Sequence, residues 1–334
     1  MEQPTTTGID LAKTVFQVHG VNQTGEAILK RKLRRNQVLD FFARLEPCLV
    51  GMEACAGAHF WARELQALGH DVRIMPPSYV KPYVKRGKTD AADAEAICEA
   101  VTRPTMRFVP VKSAERQVAL LNHKTRDFLV RQRTQLVNTI RAHLSEFGIV
   151  VAKGIHNVDR LLEASSELPD AARPAIDMLA DQLRETQEKI DDLTARIEAA
   201  QKTDPLARRL ATIPGLSAIT ASAIAATTPE VGNFRTARDY AAWLGLTPQP
   251  HSSGGKERLG RISKAGNRYL RRLLYLGAMA QISARRAGRP GDDWLWRMLK
   301  KKPVKVVAVA LANRMARVVW ALIRSGESYR ATAA

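Results

Sequence analysis

Four acids and a pair of serines are the residues whose types and spacing could act on a phosphate ester. Asp10 closes the run Thr5-Thr6-Thr7-Gly8-Ile9-Asp10, and Glu53 closes Cys48-Leu49-Val50-Gly51-Met52-Glu53. Both runs read as short strands that end in an acid. Asp90 and Asp93 open the helical pattern Lys88-Thr89-Asp90-Ala91-Ala92-Asp93, three residues apart and so on one face. Two-metal phosphoryl transfer requires carboxylates converging on cations about 3.5–4 Å apart. Mg2+ prefers such oxygen ligands and keeps some of its waters. Each acid also has an ordinary explanation, Asp90 as a helix N-cap beside Thr89 and Asp10 as a turn residue. Strand-end acids combined with an acidic i, i+3 pair are harder to explain as caps, which makes the four together a candidate metal site.

Ser252 and Ser253 precede Gly254-Gly255, where the backbone can bend sharply. Seven basic residues follow within twenty positions: Lys256, Arg258, Arg261, Lys264, Arg268, Arg271 and Arg272. Gly260 and Gly266 interrupt the run, while Leu259, Ile262 and Leu270 show that it packs on something. A hydroxyl-bearing loop in a basic cradle would present a nucleophile to a phosphodiester. A Gly/Ser turn ahead of a basic, phosphate-binding helix, with no chemistry, fits the same residues.

The elements that must position these groups can be read along the chain. Residues 5–32 spell three strands broken by Gly-containing turns such as Asn22–Gly25. A helix over Asn36–Leu45, the strand ending at Glu53, a helix over Ala58–Leu68 stopped by Gly69, and the strand Asp71–Pro76 follow. That order predicts a mixed α/β domain of ribonuclease H-like type over residues 1–110. Residues 111–203 hold one long helix from Lys112 to Phe147 and a second from about Pro174 to Ala200. In the second, Ile176, Leu179, Leu183, Ile190, Leu193 and Ile197, with Thr186, make a heptad seam. The seam fits a coiled-coil dimerisation arm or an intramolecular hairpin; the near-neutral charge between two regions suited to nucleic acid favours the arm. Residues 204–334 are expected to be mostly α. They open on Ile213-Pro214-Gly215, which resembles a helix-hairpin-helix turn offering backbone N–H groups to a phosphate, or equally a packing corner. Helices over Phe234–Leu244, Asn267–Arg286, Asp292–Leu299 and Val304–Ile323 complete this domain.

Charge narrows the partner. The 334 residues carry a net charge of +19, with 45% hydrophobic and 25% charged residues, an ordinary globular composition apart from the charge. Residues 204–334 hold 23 Lys and Arg against 7 Asp and Glu, whereas residues 1–100 hold 13 against 12. So lopsided a field attracts a polyanion, and nucleic acid rather than a membrane is the expected partner. Cys48, Cys55 and Cys98 have no metal-ligand spacing and read as thiols in a reducing compartment. No basic stretch followed by an apolar one opens the sequence, so a cytoplasmic protein, nucleoid-associated if bacterial, is expected.

With Gly8-Ile9-Asp10, Glu53, Lys88-Thr89-Asp90…Asp93, Ile213-Pro214-Gly215 and the segment Gly245-Leu246-Thr247-Pro248 through Gly260-Arg261-Ile262-Ser263-Lys264-Ala265-Gly266 in this order, nearly the whole chain resembles one family. It is similar to the DEDD insertion-sequence transposases of the one-ten type, and residues 53–62 and 76–97 suggest the eleven-eleven subgroup. The resemblance implies a RuvC-like domain whose metal-binding acids fall on Asp10, Glu53, Asp90 and Asp93, and a coiled coil that mediates assembly. It further implies a C-terminal serine that forms a covalent phosphoserine with DNA, matching Ser253 best with Ser252 adjacent. Mg2+, donor and target DNA, a guide non-coding (bridge) RNA, and homo-oligomers (a dimer, and a tetramer in the synaptic complex) are the implied cofactor and partners. Rival readings are a RuvC-like junction nuclease using water, an actin-like ATPase suggested by Gly8-Ile9-Asp10-Leu11-Ala12-Lys13-Thr14, and a non-catalytic RNA-binding protein.

Overall fold

The computed structural model describes residues 2–85, 87, 89–252, 254–256, 258–288 and 293–330. The chain divides into two compact units, Met1–Glu115 and Arg116–Ala334. In the first, β1 (Thr6–Asp10), β2 (Val15–Val21) and β3 (Ala27–Arg34) run antiparallel. The β2–β3 turn is tied by Asn22, whose Oδ1 accepts from the Thr24 hydroxyl at 2.7 Å and the Glu26 amide at 2.9 Å. Gly25 supplies the positive φ of 85° that the turn requires. The helix expected over Asn36–Leu45 is shorter: a 3-10 turn at Arg35–Gln37 leads into α1 (Val38–Phe42), which buries Val38 and Phe42.

The chain continues through β4 (Leu49–Glu53), α2 (Ala58–Ala67), β5 (Asp71–Met75), α3 (Pro77–Val80) and α4 (Asp90–Val101). The sheet order is β3-β2-β1-β4-β5, with β4 parallel to both β1 and β5. This is the mixed α/β sheet that the element order predicts. Alternation along the strands divides its two faces. Ile9, Val50 and Met52 join Phe16, Trp61 and Leu65 in one core, while α4 contributes Ile97 and Val101 to a second with Met75 and Val80.

Two glycines let α4 lie against the sheet. A Cβ at Gly8 would sit 2.3 Å from the Ala94 carbonyl oxygen and 2.4 Å from the Cys98 amide nitrogen. One at Gly51, the register partner of Gly8, would sit 2.8 Å from the Val101 Cβ. Any side chain at Gly8 would therefore strike helix backbone, which has nowhere to go.

Among its described residues the second unit forms helices and one small hairpin. It contains α5 (Ala114–Glu146), α6 (Val158–Glu163), α7 (Arg173–Thr203), α8 (Pro205–Leu210), α9 (Ala218–Thr227) and α10 (Ala237–Trp243). After these come β6 (Pro248–Pro250), β7 (Leu259–Ile262), α11 (Arg268–Ala287), α12 (Trp294–Lys301) and α13 (Val304–Ser325). Asp292, the expected start of α12, lies outside the described residues; the side chain of Asp293 caps that helix by accepting from the Trp296 amide.

The seam of α7 packs within the chain. Ile176 and Leu183 are buried with Leu136, Ile140 and Leu144 of α5 and Leu161 of α6. Arg133 Nη1 donates to Gln187 Oε1 at 2.7 Å and Arg126 Nε to Thr194 Oγ1 at 2.7 Å. Of the two arrangements compatible with the heptads, the intramolecular hairpin is the one this chain forms around these residues. Farther along α7, Ile197 enters the core of the C-terminal helices, with Leu210, Ile224, Tyr240, Leu270 and Val319. A buried histidine ties the same parts together: His123 on α5 lies 3.2 Å from Tyr269 Oη on α11 and 3.1 Å from Ser222 Oγ on α9. Burial first, and then the charge of Arg126, lowers its pKa to about 4, so it stays neutral near pH 7. By length and composition α13 alone among the described helices could cross a membrane. Its residues Val307, Leu311, Met315 and Val319 are instead buried in the core of this unit.

Replacing Gly8 with Ala is expected to destabilise the first unit by about 1–3 kcal/mol, the range for overpacking a tight contact. Denaturant unfolding followed by far-UV circular dichroism checks this; a variant as stable as the parent would show that α4 does not rest on the strand as described.

Candidate active site

The acids take their places from local geometry. Gly8 and Asp10 lie two residues apart on β1, as do Gly51 and Glu53 on β4, so both acids belong to the sheet face that α4 covers. Ile9 pairs with Met52 in register, and Asp10 and Glu53 are the next residues, at the ends of neighbouring parallel strands. Helix α4 runs antiparallel to β1: Ala94 lies on Gly8, and one turn later Cys98 Sγ donates to the Thr6 carbonyl at 3.6 Å. Its N-terminus therefore overhangs the strand ends where Asp10 and Glu53 stand.

Thr89 caps that helix. Its hydroxyl accepts from the Ala92 amide at 3.2 Å, so Asp90 is the first helical residue and not the cap. Asp90 and Asp93 are released from the structural role that the sequence left open to Asp90. Oxygens of Asp10, Asp90 and Asp93 lie within 4.8 Å of one another, close enough for one divalent ion to bind all three. Glu53 is not one of these three. Its charge and that of Asp10 nevertheless both act on the thiol of Cys55, whose pKa is raised first by desolvation of the sulfur and then by these two carboxylates. Hard oxygen donors in this number suit Mg2+ or Mn2+ better than a soft metal. The positive end of the α4 dipole favours two acids in its first turn and offsets part of their mutual repulsion. Among the other thiols, Cys98 is pushed up to about 12 by burial and is inert at neutral pH.

The serine loop sits at the tip of the β6–β7 hairpin, which the sequence did not reveal because its strands are short and exposed. The His251 amide donates to the Arg258 carbonyl at 2.7 Å, and the Arg258 amide donates to Ser252 Oγ at 3.2 Å. Gly254 and Gly255 both take positive φ, 57° and 76°. Ser253 lies outside the described residues. The base of the hairpin is clamped: a Cβ on Gly266 would lie 1.9 Å from the Trp243 carbonyl oxygen. Beside it Lys264 holds a φ of 55°, an uncommon conformation for a residue with a side chain. The Lys264 amide is held by the Gly245 carbonyl at 3.1 Å.

The basic residues divide into two groups. Lys256, Arg258, Arg261, Lys264 and Arg268 are exposed. Arg271 is half-buried and its Nη1 donates to the carbonyls of Leu244 at 3.0 Å and Gly266 at 3.2 Å, bracing the hairpin base. Burial, and secondarily Arg268, lowers the Arg271 pKa. Arg272 pairs with Asp127 of α5 and lies over the Tyr269 ring. The Ile213-Pro214-Gly215 turn packs on α11, with Gln281 Nε2 donating to the Pro214 carbonyl at 2.7 Å, and Ser217 caps α9 through the Thr220 amide.

The sequence carries a further signal for the acid site. Each strand-end acid follows a glycine by two residues, Gly8 before Asp10 and Gly51 before Glu53, and these glycines seat the helix that delivers the other two acids.

A mixed α/β sheet with clustered carboxylates is followed in the chain by a basic, mostly helical unit. Comparison with known proteins is more specific. A family model of DEDD transposases of the IS110 type matches residues 7–149, and one described as Transposase IS116/IS110/IS902 family matches residues 207–290. A probable family 20 transposase of Pseudomonas aeruginosa is 48% identical over 97% of this chain and 98% of its own length. A putative transposase of Sinorhizobium fredii is 46% identical over 99% of this chain and 87% of its own length. The transposase for insertion sequence element IS1111A of Coxiella burnetii is 37% identical over 97% and 90%. The chain belongs to the IS110 family of DEDD insertion-sequence transposases.

If the carboxylates form one cation site, Mn2+ titrated into the protein and followed by electron paramagnetic resonance will bind. Asp10→Asn and Asp93→Asn should each weaken that binding by about tenfold or more, the scale of losing one charged ligand. Undiminished binding in both variants would remove the ion from this site.

Proposed function

We propose that the chain cuts and rejoins DNA through a phosphoserine intermediate, assisted by Asp10, Glu53, Asp90 and Asp93 and guided by a non-coding (bridge) RNA. The observation that carries this reading is the close approach of Asp10, Asp90 and Asp93 in a chain of this family. When bound there, Mg2+ would supply Lewis acidity toward a phosphate oxygen. Asp10, Asp90 and Asp93 would hold it, with Glu53 at the end of the neighbouring strand as a fourth candidate ligand. Ser253 Oγ attacks the scissile phosphorus, forming the seryl–phosphate bond as the bond from phosphorus to a deoxyribose oxygen breaks. The serine proton is lost and the released sugar oxygen leaves as a hydroxyl. Attack on the phosphoserine by a deoxyribose hydroxyl of another strand reverses these steps and reseals DNA. The ester bond is conserved throughout, so no ATP is consumed.

The exposed side chains of Lys256, Arg258, Arg261, Lys264 and Arg268 suit flanking phosphates of donor and target DNA or of the guide RNA. For Arg271 and Arg272 the same role would add to the structural contacts they already make. Oligomerisation, as a dimer and as a tetramer in the synaptic complex, belongs to the same reading. Val118, Leu121 and Phe128, exposed on one side of α5, support an unfilled apolar surface for it. The place of action would be the bacterial cytoplasm, in association with the nucleoid.

Covalent trapping tests the reading. Protein mixed with the element's own RNA, labelled donor and target DNA and Mg2+ should yield, after denaturation, a labelled band at the mass of the protein. The band should vanish in Ser253→Ala and survive in Ser252→Ala. Loss in Ser252→Ala instead moves the nucleophile by one residue. Cut DNA without an adduct, indifferent to both serines, would assign the acids to a nuclease that uses water.

A further inference from the structure

Outside the acid site, the first unit carries a cleft of about 440 Å³ between α2, β5 and residues 108–113. The volume falls within the roughly 300–1,000 Å³ typical of small-ligand sites. Residues 1–115 hold 16 Lys and Arg against 13 Asp and Glu, yet Arg63, Arg73 and Lys112 all line this one cleft. Each is held by a second contact. Arg63 Nη1 donates to the Lys112 carbonyl at 2.8 Å, and Lys112 Nζ lies 3.0 Å from His59 Nε2. The Arg73 guanidinium lies over the Phe108 ring at 5.2 Å and pairs with Asp71 at 2.7 Å. The wall that carries Phe108 and Lys112 is fastened to the edge of the sheet by the Val109 amide, which donates to the Ile74 carbonyl at 2.7 Å. Cations fixed beside an aromatic ring form the combination that holds unpaired nucleotides: charge for the phosphate, a flat stacked surface for the base. Phe108 packs against the core of α4 and carries the Arg73 guanidinium, so the flat surface offered to a base is that of Arg73 backed by the ring. A base-paired strand keeps its base faces covered, so the base that fits there is an unpaired one.

We propose that this cleft binds one unpaired nucleotide of a single nucleic-acid strand, its phosphate at Arg63 and Lys112 and its base against Phe108 and Arg73. The site would steer a displaced DNA strand or a looped RNA segment along the first unit. It rests on the reading that the protein handles nucleic acid, but not on the phosphoserine chemistry.

The test uses the full chain and two short photoreactive probes, oligo-dT and oligo-U carrying 5-iodo bases. After irradiation, mass spectrometry should find crosslinks on the peptide containing Phe108. The Phe108→Leu/Lys112→Gln double variant should lose those crosslinks and bind about five- to tenfold more weakly, in proportion to one stacked base. Stronger crosslinking by oligo-U identifies RNA as the occupant, and stronger crosslinking by oligo-dT identifies DNA. Crosslinks confined to residues 204–334, with unchanged affinity in a double variant whose circular dichroism matches the parent, would overturn the proposal. The DNA–protein adduct is scored separately. Its formation without cleft crosslinks removes the cleft alone, and cleft crosslinks without adduct remove the serine chemistry alone.

Discussion

The absence of two Cβ atoms is the constraint on which the acid site depends. Gly8 and Gly51 face each other across parallel strands and let α4 settle onto the sheet with its backbone in contact. Only at that separation do Asp90 and Asp93, in the first turn of the helix, reach Asp10 at the end of β1. A methyl group at Gly8 would act on the site as a wedge, two residues from Asp10 and decisive for the distance between the acids. Thr89 completes the arrangement by capping the helix and leaving both aspartates to other work.

A comparable economy shapes the second unit. Gly245 and Gly266 allow residues 243–245 and 264–266 to cross at backbone distance, and Arg271 spans the crossing with hydrogen bonds to both sides. The hairpin that carries the serine loop rises from this clamp, with exposed strands on its own account. Two-stranded ribbons are marginal in water, so the hairpin depends on the contacts at its base. The positive φ of Lys264 lies at that base, where its amide is tied to the Gly245 carbonyl.

Much of this was legible in the sequence, for identifiable reasons. The strands and helices of the first unit follow from period-two and helical patterns bounded by Asn, Gly and Pro, and the four acids stood out because three of them end or open an element. The long helices were equally plain. What a heptad seam cannot state is whether its partner belongs to the same chain; Ile176 and Leu183 find theirs in Leu136, Ile140 and Leu144. Nor can a run of basic residues distinguish Arg271, turned inward to two carbonyls, from Arg268, exposed beside it. The hairpin escaped notice because prolines and glycines occupy its strands, and its pairing is set by tertiary closure rather than by propensity.

The central claim is that the carboxylates bring a cation to the phosphate that is cut. Sulfur substituted for a non-bridging oxygen of the scissile phosphate tests it most directly, with adduct yield compared in Mg2+ and Mn2+. The account predicts that the sulfur substrate fails in Mg2+, which binds sulfur poorly, and recovers in the softer Mn2+. Equal yields in the two metals, with the oxygen substrate as reference, would contradict it.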